Sequence, residues 1–370
     1  MSEKPPDDFK IDPWSSNALL EEDYERLIQE FGIEKLSISE RERLKENRFF
    51  RRKIIFGHRD LSTIFKAIDQ KKPWAVMSGI KPSGPFHLGT LTTALEIVEF
   101  QKMGAKAYYC IADIESWEDN GISYEEAEPY AVDQLSDILA LGLDPDPKKA
   151  YIWRQSKETI VQDVCFKVGR LVTQNMLNAI YGEKDFGLYL AALIQVGDIT
   201  LPQVLDGVQP VVVPVGIDQD PHLRLTRDLT RRYYKSYFLP GATYHKLLPG
   251  LDGTDKMSKR NPNSYFDFSE SIESIEKKIK NSFTGGRKNK KEQQELGGQP
   301  DICMIYKIEM YHFEDDDEKL EKIYKDCITG KLMCGEHKKE CVERILNFIN
   351  EHRKKKKKLI DKAREILGID

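Results

Sequence analysis

An α/β fold, with an open parallel sheet covered by helices on both faces, is predicted by three observations. An apolar run at 74–78 leads into a sixteen-residue helical pattern at 88–103 and then a second apolar run at 107–112, a strand–helix–strand unit. A strand of buried character at 210–215, Pro-Val-Val-Val-Pro-Val, passes through Gly216 into a helix starting near Pro221. Helical patterns at 124–141, 157–180 and about 188–205 fill the space between. Alternation of this kind gives right-handed parallel crossovers, and ligands of such sheets sit beyond the carboxyl ends of the strands. Segments 82–90 and 216–222 both occupy that place.

Taken in order, residues 1–70 read as an N-terminal extension. It has a Pro-rich start, a helix at 21–31, and a basic-aromatic stretch at 49–56 that fits either a strand or an insert packed on the core. Residues 71–284 form the Rossmann-like catalytic domain, with Gly104 as the C-cap of its first helix. A lysine loop at 250–262 is introduced by Gly250, Gly253 and Asp255. The polar, Gly-rich stretch 285–298 marks a boundary, and 285–370 is mostly helical.

At 370 residues the chain is long enough for two or three domains, and its net charge of −4 argues against a purely electrostatic nucleic-acid binder. Basic residues nevertheless cluster at 50–53, 231–232, 287–291 and 353–358. No apolar stretch approaches the ~20 residues of a membrane helix and no signal core opens the chain, so a cytoplasmic protein is expected. The six cysteines, at 110, 165, 303, 327, 334 and 341, read as reduced thiols. Cys334, His337 and Cys341 fit one face of a helix, and with Cys327 they resemble no zinc signature, so no metal site is expected.

Two segments carry the chemistry. In Pro82-Ser83-Gly84-Pro85-Phe86-His87-Leu88-Gly89-Thr90 a histidine stands where a strand hands over to a helix N-terminus, a natural anion site, and Gly84 and Gly89 allow close backbone approach. In Lys256-Met257-Ser258-Lys259-Arg260 two lysines suit a polyphosphate whose charge moves during reaction. Together they read as a nucleotide-activating pair.

This pair resembles the two signature motifs of the class I aminoacyl-tRNA synthetases, and Val213 to Asp228 is similar to the tryptophanyl members. Asp12-Pro13-Trp14, Phe50-Arg51-Arg52-Lys53 and Glu314-Asp315-Asp316-Asp317 resemble the archaeal and eukaryotic branch, whereas Ser78 to Gly84 is nearer the bacterial one. The resemblance implies activation of L-tryptophan by ATP with Mg²⁺, transfer to tRNA(Trp), a homodimer, and an anticodon-binding role for the helical C-terminal domain. It implies phosphate donors in His87, Lys256 and Lys259, with Thr90 beside them. Pro82, Ser83, Gly84, Gly89, Met257 and Ser258 would lie around the ATP, with Gly216 and Asp218 at the adenosine. Tryptophan would meet Met77, Gly79, Gln195, Asp198 and Gln219, with Asp113 accepting from the indole N–H.

Several residues depart from the family pattern. Thr90 stands where archaeal and eukaryotic relatives carry histidine, Met77 and Cys110 where eukaryotic ones place a tyrosine and a glutamine, and Arg260 where serine is usual. Tyrosyl enzymes share the fold and an aspartate like Asp198, but typically carry tyrosine at the position of Met77. The remaining alternatives are a small-molecule adenylyltransferase and an inactive binding relative.

Overall fold

The computed structural model describes residues 21–254, Met257 and residues 261–370. Seven strands form one mixed sheet: β1 (Glu34–Lys35), β2 (Ile55–Arg59), β3 (Ala75–Ile80), β4 (Lys106–Ile111), β5 (Ala150–Arg154), β6 (Val211–Gly216) and β7 (Gly241–His245), in the order β1-β2-β7-β6-β3-β4-β5. The five strands from β3 onward run parallel. β1 and β2 add an antiparallel edge through β2's pairing with β7, so part of the N-terminal extension is built into the sheet.

The core strands are buried on both sides, which is why they read as near-continuous apolar runs. Successive side chains of β3 divide between two cores: Val76 and Ile80 join one, Ala75 and Met77 the other. The first core is continuous from Phe50 and Ile54 through Phe100 to Ile305, Ile345 and Ile349 of the C-terminal helices. The second lies under the helices Thr159–Gly169, Phe186–Asp206 and Asp220–Tyr233.

The chain proceeds outward from β3 to β4 and β5, then returns to β6 on the other side of β3, a topological switch point. Here β3 and β6 pair only at Ala75↔Val211 and Val76↔Val212 and then part. Pro214, which brings no N–H to a ladder, lies where that pairing has ended. The separation opens a crevice at the carboxyl ends of both strands.

Several expectations change in detail. The pattern at 157–180 is two helices, Thr159–Gly169 and Gln174–Tyr181, because Thr173 caps the second by accepting from the Met176 N–H. Stretch 49–56 divides into a helical turn, Arg48–Arg51, and the start of β2. The basic and acidic runs meet each other: Arg51 and Arg52 pair with Asp317 at 2.5 and 2.7 Å, and Arg48 with Asp315 at 2.7 Å. Lys356 likewise turns inward to Asp133 and Asp137. Contrary to the sequence reading, Phe186–Asp206 is long and apolar enough to cross a membrane by composition; it is 72% buried inside the protein as a core helix.

Candidate active site

The crevice between β3 and β6 is a cavity of about 390 Å³. At one end stands the His87 turn. Extended backbone at His87 makes it the N-cap of Leu88–Thr90, and its Nδ1 accepts the Gly89 N–H at 3.1 Å. That bond places the ring proton on Nε2, a neutral donor. The turn is held from outside by segment 266–268, through Leu88 N–H to Phe266 carbonyl at 3.1 Å and Phe268 N–H to Phe86 carbonyl at 2.9 Å. The residues just after the lysine loop therefore fix the histidine, and buried Met257 of that loop lines the same cavity. Lys256, Ser258, Lys259 and Arg260, like Asp12-Pro13-Trp14, lie outside the described residues.

The cavity is also lined by a polar network in a buried setting. Asp198, 2% exposed, accepts from Gln155 Nε2 at 2.6 Å and Trp153 Nε1 at 3.1 Å, and the Cys110 thiol donates to it. Burial outweighs these bonds and pushes its pKa up to about 7. Gln155 Oε1 in turn accepts the Glu115 N–H at 3.2 Å, and the Glu115 carboxylate accepts from Gln195 Nε2 at 2.8 Å. Burial also raises the pKa of Glu115, against the pull of Lys81 and Gln195. Gly79 leaves the wall open, since a Cβ there would stand 2.8 Å from the Cys110 carbonyl. A Cβ at Gly216 would meet Asp218 at 2.5 Å.

Of the residues singled out in the sequence, Met77, Gly79, His87, Gly89, Thr90, Gln195, Asp198, Gly216, Asp218, Gln219 and Met257 all border this one cavity. The model for tRNA synthetases class I (W and Y) matches residues 69–350. The tryptophan–tRNA ligase of Methanocaldococcus jannaschii is 35% identical, over 97% of this chain and 98% of its own. That of Aeropyrum pernix is 38% identical, with 96% of each covered. The crystal structure of the tryptophanyl-tRNA synthetase from Aeropyrum pernix K1 superposes with a TM-score of 0.88 at 38% identity, over 96% of this chain and 98% of that one. A structure from Encephalitozoon cuniculi bound to tryptophan gives 0.82 at 27% identity, covering 94% and 98%. This chain belongs to the tryptophanyl-tRNA synthetases.

The synthetase departs from the sequence reading at three places. Asp113 does not reach the cavity: it is fully buried, with Arg154 Nε at 3.1 Å and the Ser156 N–H and hydroxyl at 2.9 and 2.5 Å. Arg154 is also buried and would keep Glu128 at 2.8 Å as a carboxylate partner, so Asp113→Ala should destabilise the synthetase by about 1–3 kcal/mol through the hydrogen bonds it removes from Arg154 and Ser156. Calorimetric or denaturant unfolding will read this, and a loss confined to tryptophan binding would contradict it. Thr90 lines the cavity, but its hydroxyl donates to the His87 carbonyl at 2.7 Å and so braces the turn. Pro82, Ser83 and Gly84 shape the approach to it from outside the cavity wall: Ser116 Oγ donates to the Pro82 carbonyl and Gln134 Nε2 to that of Gly84.

Glu115 and Gln155 were not anticipated. The only signal for Glu115 was an acidic residue just past the end of β4, two positions beyond Asp113; Gln155 belongs to a strand end that the pattern did not disclose.

Proposed function

We propose that this cavity joins L-tryptophan to ATP and passes the acyl group to tRNA(Trp), with Asp198 rather than Asp113 as the indole N–H acceptor. The observation that carries this reading is that a neutral histidine donor and a buried carboxylate acceptor line one crevice. Glu115 and Gln195 receive the α-ammonium, since a carboxylate whose burial disfavours its charge gains most from a cation. The tryptophan carboxylate then attacks the α-phosphorus and pyrophosphate departs. His87 Nε2–H, with Lys256 and Lys259, donates to oxygens that gain charge in that step. Asp218 accepts from the ribose hydroxyls, and Gly216 keeps the strand end open beneath it.

A terminal ribose hydroxyl of tRNA next attacks the acyl carbon and releases AMP. Mg²⁺ would be carried on the phosphates and would neutralise their charge; segment 87–94 brings no carboxylate of its own. Residues 285–370 serve as the anticodon-binding part, after a catalytic domain at 71–284 and an extension at 1–70, and of the run 354–358 the exposed Lys354, Lys355, Lys357 and Lys358 are available there, Lys356 being turned inward. A homodimer on the face of Phe166 and Phe186, 83% and 73% exposed beside a 740 Å³ apolar groove, fits such an enzyme, as does work in the cytoplasm.

Amino-acid-dependent ATP–pyrophosphate exchange tests the reading. Tryptophan should stimulate exchange, with tyrosine weaker by at least about 10²-fold, since the phenol O–H projects from the far end of a single ring and not from the ring side where an indole N–H would meet Asp198. Equal or preferential stimulation by tyrosine would overturn the assignment of Asp198.

A further inference from the structure

The basic run at 353–358 is divided by helical spacing. Lys354, Lys355, Lys357 and Lys358 are exposed, whereas Arg353 and Lys356, three apart on one helix, turn into the protein. Arg353 lies near the end of the long helix Cys334–Lys357, yet its partners belong to the stretch that leaves the lysine loop: Nε donates to the Phe268 carbonyl at 2.7 Å, and Nη2 to that of Glu270. The Phe268 N–H in turn donates to the Phe86 carbonyl at 2.9 Å, and His87 and Asp267 form an antiparallel bridge. From this chain of contacts we propose that Arg353 is a positioning residue for the release of pyrophosphate, holding the His87 imidazole in register with the phosphates from the C-terminal helix; this role rests on the donor part given to His87 above.

Packing runs along the same path as the hydrogen bonds. The ring of Phe268, 2% exposed, meets Phe86 of the turn and His352 of the helix edge-on, each at 5.1 Å between centroids. His352 is itself held, its Nε2 bonded to Asp137 Oδ1 at 2.7 Å, and Asp137 is fully buried with Lys356 on its other oxygen at 2.9 Å. Asp137 belongs to the helix Tyr124–Leu141, the same helix whose Gln134 holds the Gly84 carbonyl. Two helices packed on each other therefore fix the turn, one at Gly84 directly and the other at Phe86 and Leu88 through segment 266–268.

The choice of side chain fits the task. A guanidinium is a rigid fork that donates to two acceptors at once, which a lysine ammonium does not reproduce. Both acceptors here are backbone carbonyls, so the contact sets the path of the chain between the lysine loop and the helix. A donor aimed at a charge-gaining oxygen is sensitive to that path, since misplacement by about 1 Å can cost about 10²-fold in rate.

Tryptophan-dependent ATP–pyrophosphate exchange needs no tRNA, and so separates this role from a phosphate contact made by the neighbouring lysines. Arg353→Met should lower kcat for exchange about 10–10²-fold while the KM for tryptophan stays within about threefold of the native value. Arg353→Lys, which can reach one carbonyl but not both, should recover part of the loss, and it carries the comparison if the methionine variant does not fold by far-ultraviolet dichroism. The double variant His87→Ala, Arg353→Met should lose no more than His87→Ala alone, because no imidazole is then left to place. One readout is independent of turnover: the ring proton–nitrogen NMR correlation of His87, identified by its loss in His87→Ala, should shift in the Arg353 variants while that of His58 stays in place. The proposal is overturned by exchange that survives both Arg353 variants, by losses that multiply in the double variant, by a defect seen only when tRNA is charged, or by His87 ring signals that do not move. A native chain without tryptophan-dependent exchange overturns the functional reading instead, and the ring signals still decide whether Arg353 places His87.

Discussion

Replacing His87 by alanine is expected to slow tryptophan-dependent ATP–pyrophosphate exchange by about 10²–10³-fold, the effect of losing one donor aimed at an oxygen that gains charge. The geometry dictates the sign. Nδ1 is occupied by the Gly89 N–H, so Nε2 carries the hydrogen and offers it to a phosphate without any need for protonation. His87→Asn separates this role from the N-cap, because asparagine can still accept from the backbone at a helix start but is too short to reach the phosphate. Both variants should therefore lose comparable rate while binding tryptophan within about threefold of the native chain, a change of well under 1 kcal/mol. If asparagine restores exchange, the histidine only braces the turn.

Asp198→Asn should weaken tryptophan binding by about 10²–10⁴-fold while leaving ATP binding nearly unchanged, because a site built around a hydrogen bond to its substrate loses far more than apolar fit when that bond fails. The present partners of the carboxylate, Gln155 Nε2, Trp153 Nε1 and the Cys110 thiol, are all donors. An asparagine would turn its own amide hydrogens on one of them, so the substitution also unsettles the network. ATP affinity and far-ultraviolet dichroism, measured on the same preparation, distinguish that from unfolding; a parallel loss of ATP binding would sink the assignment.

The same residue sets a pH dependence. Its pKa is raised from 3.8 to about 7, so the carboxyl is neutral below that pH and ionised above it. The ionised oxygen is the stronger acceptor, and the KM for tryptophan should fall as pH rises through about 7, a dependence that Asp198→Asn abolishes. The sign for stability is opposite to that of a paired surface aspartate. Between 3.8 and about 7 the folded chain holds a proton that the unfolded chain has released, so this group's contribution to stability declines as pH rises across that window.

Much of the site was legible because its signals are local. A strand-to-helix turn with His87 and Gly89, the valine-rich strand before Gly216, and the polar residues Gln195 and Asp198 on an apolar helix are each visible within a dozen residues. β5 and β7 were not foreseen: Ala-Tyr-Ile-Trp-Arg and Gly-Ala-Thr-Tyr-His do not alternate, and their burial comes from strands distant in sequence. Choosing between Asp113 and Asp198 needed β5. Arg154 and Ser156, at and just beyond its end, draw Asp113 away, while Trp153 and Gln155 hold Asp198 at the cavity.

By itself the sequence determined the parallel α/β class, the strand-to-helix turn at His87 and the family, since periodicity, turn chemistry and motif spacing act over short stretches of chain. Only the tertiary structure decided which aspartate borders the cavity, that the basic 51–52 pair and Asp317 meet each other, and that Cys303 joins Cys327, Cys334 and His337. The physical reason is common to all three. Where a polar side chain points depends on the partners that satisfy it, and those partners arrive from segments tens to hundreds of residues away.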